Sequence, residues 1–150
     1  MLQFRTYGAQ WFSKAAPYNR RPFDMAHLLI VDDSQTIRRM VKASLLPLGI
    51  PFIEAASGLE AIEQLAVGDI KLMVLDLNMP DMHGLEVLGF VRAHQKFHQL
   101  PVLVLTTRDD QSSRSAAIQA GATVYLTKPF TPQSLLNEAR AVLDTVAEPR

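Results

Sequence analysis

The sequence predicts an α/β domain, a doubly wound five-stranded parallel sheet with helices on both faces. Two observations carry this. Short runs such as "HLLIV" (27–31), "KLMVL" (71–75) and "PVLVLT" (101–106) are apolar without alternation, as strands covered on both faces require. Between such runs lie segments with apolar residues at helical spacing, so strand and helix alternate along the chain.

Taken in order, 27–31 is the first strand. "SQTIRRMVKASLLPLG" (34–49) follows as a helix with Ile37, Val41, Leu45 and Leu48 on one face. Ser34 is its cap, Pro47 ends or bends its last turn, and Gly49 stops it. "PFIEAA" (51–56) is a weaker second strand. "SGLEAIEQLAVG" (57–68) is an amphipathic helix with Leu59, Ile62, Leu65 and Ala66 expected inward. Residues 71–75 form the third strand, and "GLEVLGFVRAH" (84–94) a helix with Leu85, Leu88 and Val91 inward. Residues 101–106 form the fourth strand, 109–121 a polar helix with a thin Ala/Ile stripe, and "TVYLT" (123–127) the fifth strand. The last helix, 131–146, has Thr131 as cap and Pro132 in its first turn. Crossovers in such a sheet are right-handed, and ligands bind outside the carboxyl ends of the strands.

Composition narrows the function. Of 150 residues 48% are hydrophobic, enough for a folded core. Fifteen basic residues balance 15 acidic ones, so nothing favours nonspecific nucleic-acid or membrane binding. The absence of cysteine excludes a disulfide framework and thiolate metal sites, and is compatible with a reducing cytosol. No apolar run approaches the ~18 residues of a membrane-helix candidate, and the first residues lack a secretory pattern. Residues 1–24 stand apart: Arg5, Lys14, Arg20 and Arg21 against Asp24, broken by Pro17 and Pro22, without periodicity. The expected division is a basic, disordered extension over 1–24 and one domain over 25–150. Met25 leaves open that the extension is an upstream-start artefact or cloning sequence; Trp11 and Phe12 leave open a docking arm.

The chemistry collects at the strand ends. The first strand ends on Asp32-Asp33, the third on Asp76, the fourth on Thr106-Thr107, and the fifth runs into Lys128-Pro129. Three neighbouring carboxylates raise one another's pKa, which a hard divalent cation relieves; Mg²⁺ is the expected one. Lys128 can neutralise a phosphoryl oxygen and Thr106 can hydrogen-bond another. A carboxylate can itself attack phosphorus, and Asp76, at a central strand end, is best placed to do so. Alone, Asp32-Asp33 reads equally well as an acid pair favoured by a helix dipole, and Arg38-Arg39 as a solvated helix face or a kinase-docking surface. Thr106 alone reads as a turn residue and Tyr125 as a packed edge residue; His27, His94 and His98 have no ligand spacing.

The pieces "LLIVDDS", "LMVLDLNMPDMHG", "VLVLTT" and "YLTKPF", in this order, resemble the receiver domain of two-component signalling, the CheY-like response-regulator family. The resemblance covers residues 26 to about 146 and implies a flavodoxin-like sheet of order 2-1-3-4-5. It implies that Asp76 is the phosphoacceptor, that Asp33 binds Mg²⁺ directly and Asp32 mainly through water, and that Asn78 offers its backbone carbonyl. It makes Thr106 the switch hydroxyl, Lys128 the partner of the phosphoryl group before a typically cis bond to Pro129, and Tyr125 the aromatic that swings inward. His83 stands where many members have aspartate, and is expected exposed in its loop. Arg108 stands at a position that tunes dephosphorylation.

The implied protein is a cytoplasmic, monomeric, stand-alone response regulator rather than an enzyme acting on other molecules. A histidine kinase phosphorylates it, and it signals by protein binding through the fourth helix, fifth strand and fifth helix. With the chain ending at Arg150, no DNA-binding domain is expected. "DDSQTIRRMV" looks like the chemotaxis branch, with the flagellar switch as target. The alternatives are a phosphorelay intermediate serving a histidine phosphotransfer protein and a phosphorylation-independent scaffold. A metal-dependent phosphatase would need a second acid where Asn78 stands.

Overall fold

The structure is a computed structural model that describes residues 25–147. The expected extension, 1–24, with Trp11 and Phe12, lies outside the described residues. Five strands, β1 (Ala26–Val31), β2 (Phe52–Ala55), β3 (Asp69–Leu75), β4 (Val102–Thr106) and β5 (Val124–Thr127), alternate with five helices. These are α1 (Gln35–Leu45), α2 (Gly58–Val67), α3 (Gly84–Ala93), α4 (Gln111–Gln119) and α5 (Pro132–Ala147). The strands are all parallel, in the order β2-β1-β3-β4-β5, as the resemblance implied.

Alternation of side chains along the strands builds two cores. Leu28, Ile30, Leu72, Val74, Leu103 and Leu105 face α1 and α5, meeting Val41, Leu45, Leu135 and Ala139. Leu29, Val31, Met73, Leu75, Val102 and Val104 face α2, α3 and α4, meeting Ala61, Leu65, Leu88, Val91 and Ala117. With both faces covered, β1, β4 and the Leu72–Leu75 stretch of β3 carry no polar alternation, which is why they read as continuous apolar runs.

The helix ends follow the sequence signals. Ser34 accepts from the Ile37 N–H at 3.3 Å to start α1. Pro47 sits in a 3₁₀ turn, Leu46–Leu48, that closes α1, and the Gly49 N–H bonds the Leu46 carbonyl. Thr131 accepts from the Ser134 N–H at 3.0 Å ahead of Pro132. Asp110 caps α4 through the Ser113 N–H at 3.0 Å, so that helix begins at Gln111 rather than at 109. β3 begins two residues before the expected Lys71, because Asp69 and Ile70 pair with Ala26 and His27 ahead of a register shift.

One inward face was misread. In α2, Leu59 is 56% exposed and Ala66 is exposed, while Gly58, Ala61 and Leu65 are buried. The small residues turn inward because the loop after β3 lies close. A Cβ on Gly58 would come within 2.7 Å of Met82 Cβ and 3.0 Å of Val87 Cγ2. That loop is tied to α2 by Asp81, whose carboxylate accepts from the Gly58 and Leu59 N–H groups at 3.2 and 3.1 Å.

At the opposite edge of the sheet, Arg92 on α3 holds three carbonyls. Its Nε and Nη2 donate to Gly121 O at 3.0 and 2.8 Å, and its Nη1 to Leu100 O and His98 O at 2.7 and 3.1 Å. Gly121 has φ +107°, and a Cβ there would lie 2.7 Å from Arg92 Nε, so the turn after α4 requires glycine.

Candidate functional site

Strand register delivers the acids to one level. Val31 pairs with both Ala55 and Leu75, so Asp32 and Asp76 leave adjacent strands side by side. Both are still held by main-chain bonds: Asp32 N–H donates to Ala55 O at 3.1 Å and Asp76 N–H to Val31 O at 2.9 Å. Thr106 pairs with Thr127 across β4 and β5, and the Lys128 N–H bonds Thr106 O at 2.7 Å, which brings the lysine to the same edge. The Lys128–Pro129 bond is cis.

Asp32, Asp33 and Asp76 each offer a carboxylate oxygen, and these atoms lie within 4.8 Å of one another. Lys128 Nζ is 2.7 Å from Asp32 Oδ2 and 3.6 Å from Asp76 Oδ1. Asp32 also accepts from the Ser34 N–H at 2.9 Å, and Asp76 from the Asn78 N–H at 3.3 Å. Asp32 and Asp76 are buried and Asp33 is exposed, so the cluster opens to solvent on the Asp33 side. Burial is the main force pushing the Asp76 carboxyl above the usual carboxylate range. Asp32 and Asp33 add to it, while Lys128 and the Asn78 N–H oppose it. One ammonium does not balance three carboxylates, and a set of hard oxygen donors open to water fits a divalent cation such as Mg²⁺.

The neck of the loop after Asp76 is closed by Gly84. Its N–H bonds Leu77 O at 2.8 Å, and a Cβ there would lie 2.5 Å from Asp76 O. Leu77 and Met79 are buried on either side of exposed Asn78, whose Nδ2 donates to Thr106 Oγ1 at 3.4 Å. Thr106 is fully buried, and its oxygen also accepts from the Arg108 N–H at 3.4 Å. Tyr125 stands apart from the acids. It is 8% exposed, its hydroxyl donates to the Arg108 carbonyl, and the Arg114 guanidinium lies 4.8 Å from its ring centroid.

The structure therefore brings together Asp32, Asp33, Asp76, Asn78, Thr106 and Lys128, with Tyr125 beyond them on the α4 side. His83, exposed as expected, caps α3 by accepting from the Leu85 N–H at its Nδ1 (3.1 Å) and is not part of the acid cluster. With Asn78, Arg108 and Ser112 it lines a cleft of ≈ 180 Å³ beside the site. Arg39 is exposed, but Arg38 is not on a solvated face: it donates to the Asp32 carbonyl at 2.7 Å and to Glu54 Oε1 at 3.1 Å. Sequence reasoning missed this contact and the Asp81 tie. A cation in the first turn of α1, at the wrong end of the helix dipole, was the available signal for Arg38.

An open parallel sheet of this order, with five helices and its acids at the strand carboxyl ends, is a CheY-like flavodoxin fold. Residues 28–140 match the response regulator receiver domain, and the chain belongs to that family. It is 42% identical over 120 residues to the chemotaxis protein CheY1 of Helicobacter pylori, covering 79% of this chain and 97% of that protein. The CheY homolog of Campylobacter jejuni is 42% identical over 120 residues, covering 79% of this chain and 92% of the relative. Among solved structures, chemotaxis response regulator CheY4 of Vibrio cholerae superposes with a TM-score of 0.74 at 37% identity, over 79% of this chain and 99% of that one.

Proposed function

We propose that this receiver accepts a phosphoryl group on Asp76 from the phosphohistidine of a histidine kinase and signals, from the cytoplasm, by protein binding. The observation that carries this is the buried Asp76 carboxylate at a central strand end, 3.6 Å from Lys128 Nζ, within the three-acid cluster. An Asp76 oxygen attacks phosphorus in line, the histidine N–P bond breaks with its electron pair returning to the imidazole, and an acyl phosphate forms. Asp32, Asp33, Asp76 and the Asn78 carbonyl would hold Mg²⁺, which supplies charge neutralisation of the phosphoryl oxygens. Lys128 neutralises another oxygen, and its tie to Asp32 keeps it aimed at the site. Thr106 turns its hydroxyl from Asn78 and Arg108 toward the phosphoryl group. The β4–α4 loop follows, and the face made by α4, β5 and α5, with Tyr125, shifts toward its binding state. The likeness to chemotaxis proteins in Helicobacter, Campylobacter and Vibrio supports a flagellar switch component as the target.

Intact mass after incubation with Mg²⁺ and a small phosphodonor tests the reading. A single phosphoryl adduct is expected for the wild type, none with EDTA and none for Asp76→Asn. An adduct persisting in Asp76→Asn would show that another residue is the acceptor.

A further inference from the structure

We propose that Arg38 is a positioning residue for the cation site, acting through the peptide that joins Asp32 to Asp33; this rests on the reading of the acid cluster as a Mg²⁺ site. Arg38 lies in the first turn of α1, where the dipole disfavours a cation, yet its side chain is only 13% exposed. Its Nη1 donates to the Asp32 carbonyl oxygen at 2.7 Å, a short charge-assisted bond. Its Nε is held from the other side by Glu54 Oε1 on β2 at 3.1 Å, and Lys42 Nζ holds Glu54 Oε2 at 3.0 Å. The guanidinium is thus fixed at two points, and one of them is main chain of the site.

The two acids of the β1–α1 loop depend on this contact unequally. The Asp32 side chain is fixed independently, by the Ser34 N–H at 2.9 Å and by Lys128 at 2.7 Å. Asp33 is exposed, and among the described residues no hydrogen bond holds its carboxylate. The position of the Asp33 Cβ is set by its backbone, and the peptide preceding its Cα is the one Arg38 grips. Arg38 therefore presents Asp33 toward Asp76, and Glu54 aims Arg38. Groups that orient metal ligands in this way change affinity by roughly 10- to 100-fold when removed.

Two rival roles predict different signs. Acting only as a nearby positive charge, Arg38 would oppose cation binding, and its removal would tighten Mg²⁺. Acting only as an α1–β2 ion pair, it would change stability and leave Mg²⁺ affinity alone.

The test is Mg²⁺ titration by calorimetry on the full chain, with Tm measured without metal, for wild type, Arg38→Lys, Arg38→Met and Glu54→Gln. Positioning predicts weaker Mg²⁺ binding by about 10-fold for Arg38→Met and a smaller loss for Arg38→Lys, which keeps the charge but loses the fork. It predicts a smaller loss still for Glu54→Gln, and a shifted Asp33 amide resonance in metal-free Arg38→Lys. Unchanged affinity in both Arg38 variants, with Tm lowered as in Glu54→Gln, would overturn the proposal in favour of a structural ion pair. Tighter binding in Arg38→Met with Arg38→Lys unchanged would overturn it in favour of a field effect. Absence of Mg²⁺ binding in the wild type would instead overturn the cation site itself, a failure separable from the other two.

Discussion

The carboxyl edge of the sheet has two halves, held in different ways. On the β1 and β3 side, Asp32 and Asp76 are bonded into the ladder, Leu77 and Met79 are sunk in the core, and Gly84 closes the loop neck. On the β4 and β5 side, residues 107–110 are exposed, and Ala117 is the one buried residue of α4. Thr106 Oγ1 makes two hydrogen bonds there, both at 3.4 Å. Asp32 and Asp76 thus sit where geometry is expensive to change, and Thr106, the proposed switch hydroxyl, sits beside an exposed segment that is cheaper to move. Preorganised charge suits the phosphoryl acceptor proposed for the first half, and low local stability suits the switch proposed for the second.

This contrast can be broken, most forcefully in the core. Leu88→Ala empties a fully buried position under the rigid half and is expected to cost about 2–5 kcal/mol in chemical denaturation. A cost under about 1 kcal/mol would mean that α3 is no better anchored than α4. Thr106→Ala removes the acceptor shared by Asn78 and Arg108, a loss of about 1 kcal/mol. Phosphoryl incorporation should continue in this variant while the Tyr125 ring resonances stop responding to it; a retained response would place the trigger elsewhere.

Asp76→Asn sharpens the contrast through pH. The folded Asp76 carboxyl is raised above its unfolded value, chiefly by burial, so the ionised form costs stability. That cost is absent below the unfolded pKa, grows as pH rises through the folded pKa, and is constant above it. Asp76→Asn lacks it, so its Tm should match the wild type in acid and exceed it by about 1–3 °C at neutral pH. An equal or lower Tm at neutral pH would mean that Lys128 outweighs burial. The smallest effect is expected for Ile118→Ala on α4, which is 49% exposed and should change stability by less than about 0.5 kcal/mol.

Most of the site was legible because its residues lie at or just beyond the ends of apolar runs, and a parallel sheet sends all such positions to one edge. Asp32, Asp76, Thr106 and Lys128 needed no tertiary knowledge beyond that. The contacts of Arg38 and Asp81 were not legible, since each acts on main chain outside its own element, and side-chain type does not announce a carbonyl or amide partner. The α2 face failed for a related reason. Leu59 and Ala66 make a plausible stripe by hydrophobicity, but the buried face is the one through Gly58, Ala61 and Leu65, where Met82 leaves no room for a side chain at Gly58. The early start of β3 was hidden because its exposed Asp69 does not read as strand.

The Arg92 clamp gives α4 the mechanics of a hinged lever. Its heel is pinned, because Gly121 is wedged against a guanidinium that also grips the start of β4 through Leu100 O. Its toe, at Asp110 and Gln111, adjoins the exposed segment after Thr106. A rod with a fixed fulcrum at one end pivots instead of sliding. Travel at Thr106, on the switch proposed above, would thereby be delivered as rotation of an exposed helix, with the opposite edge of the sheet left still.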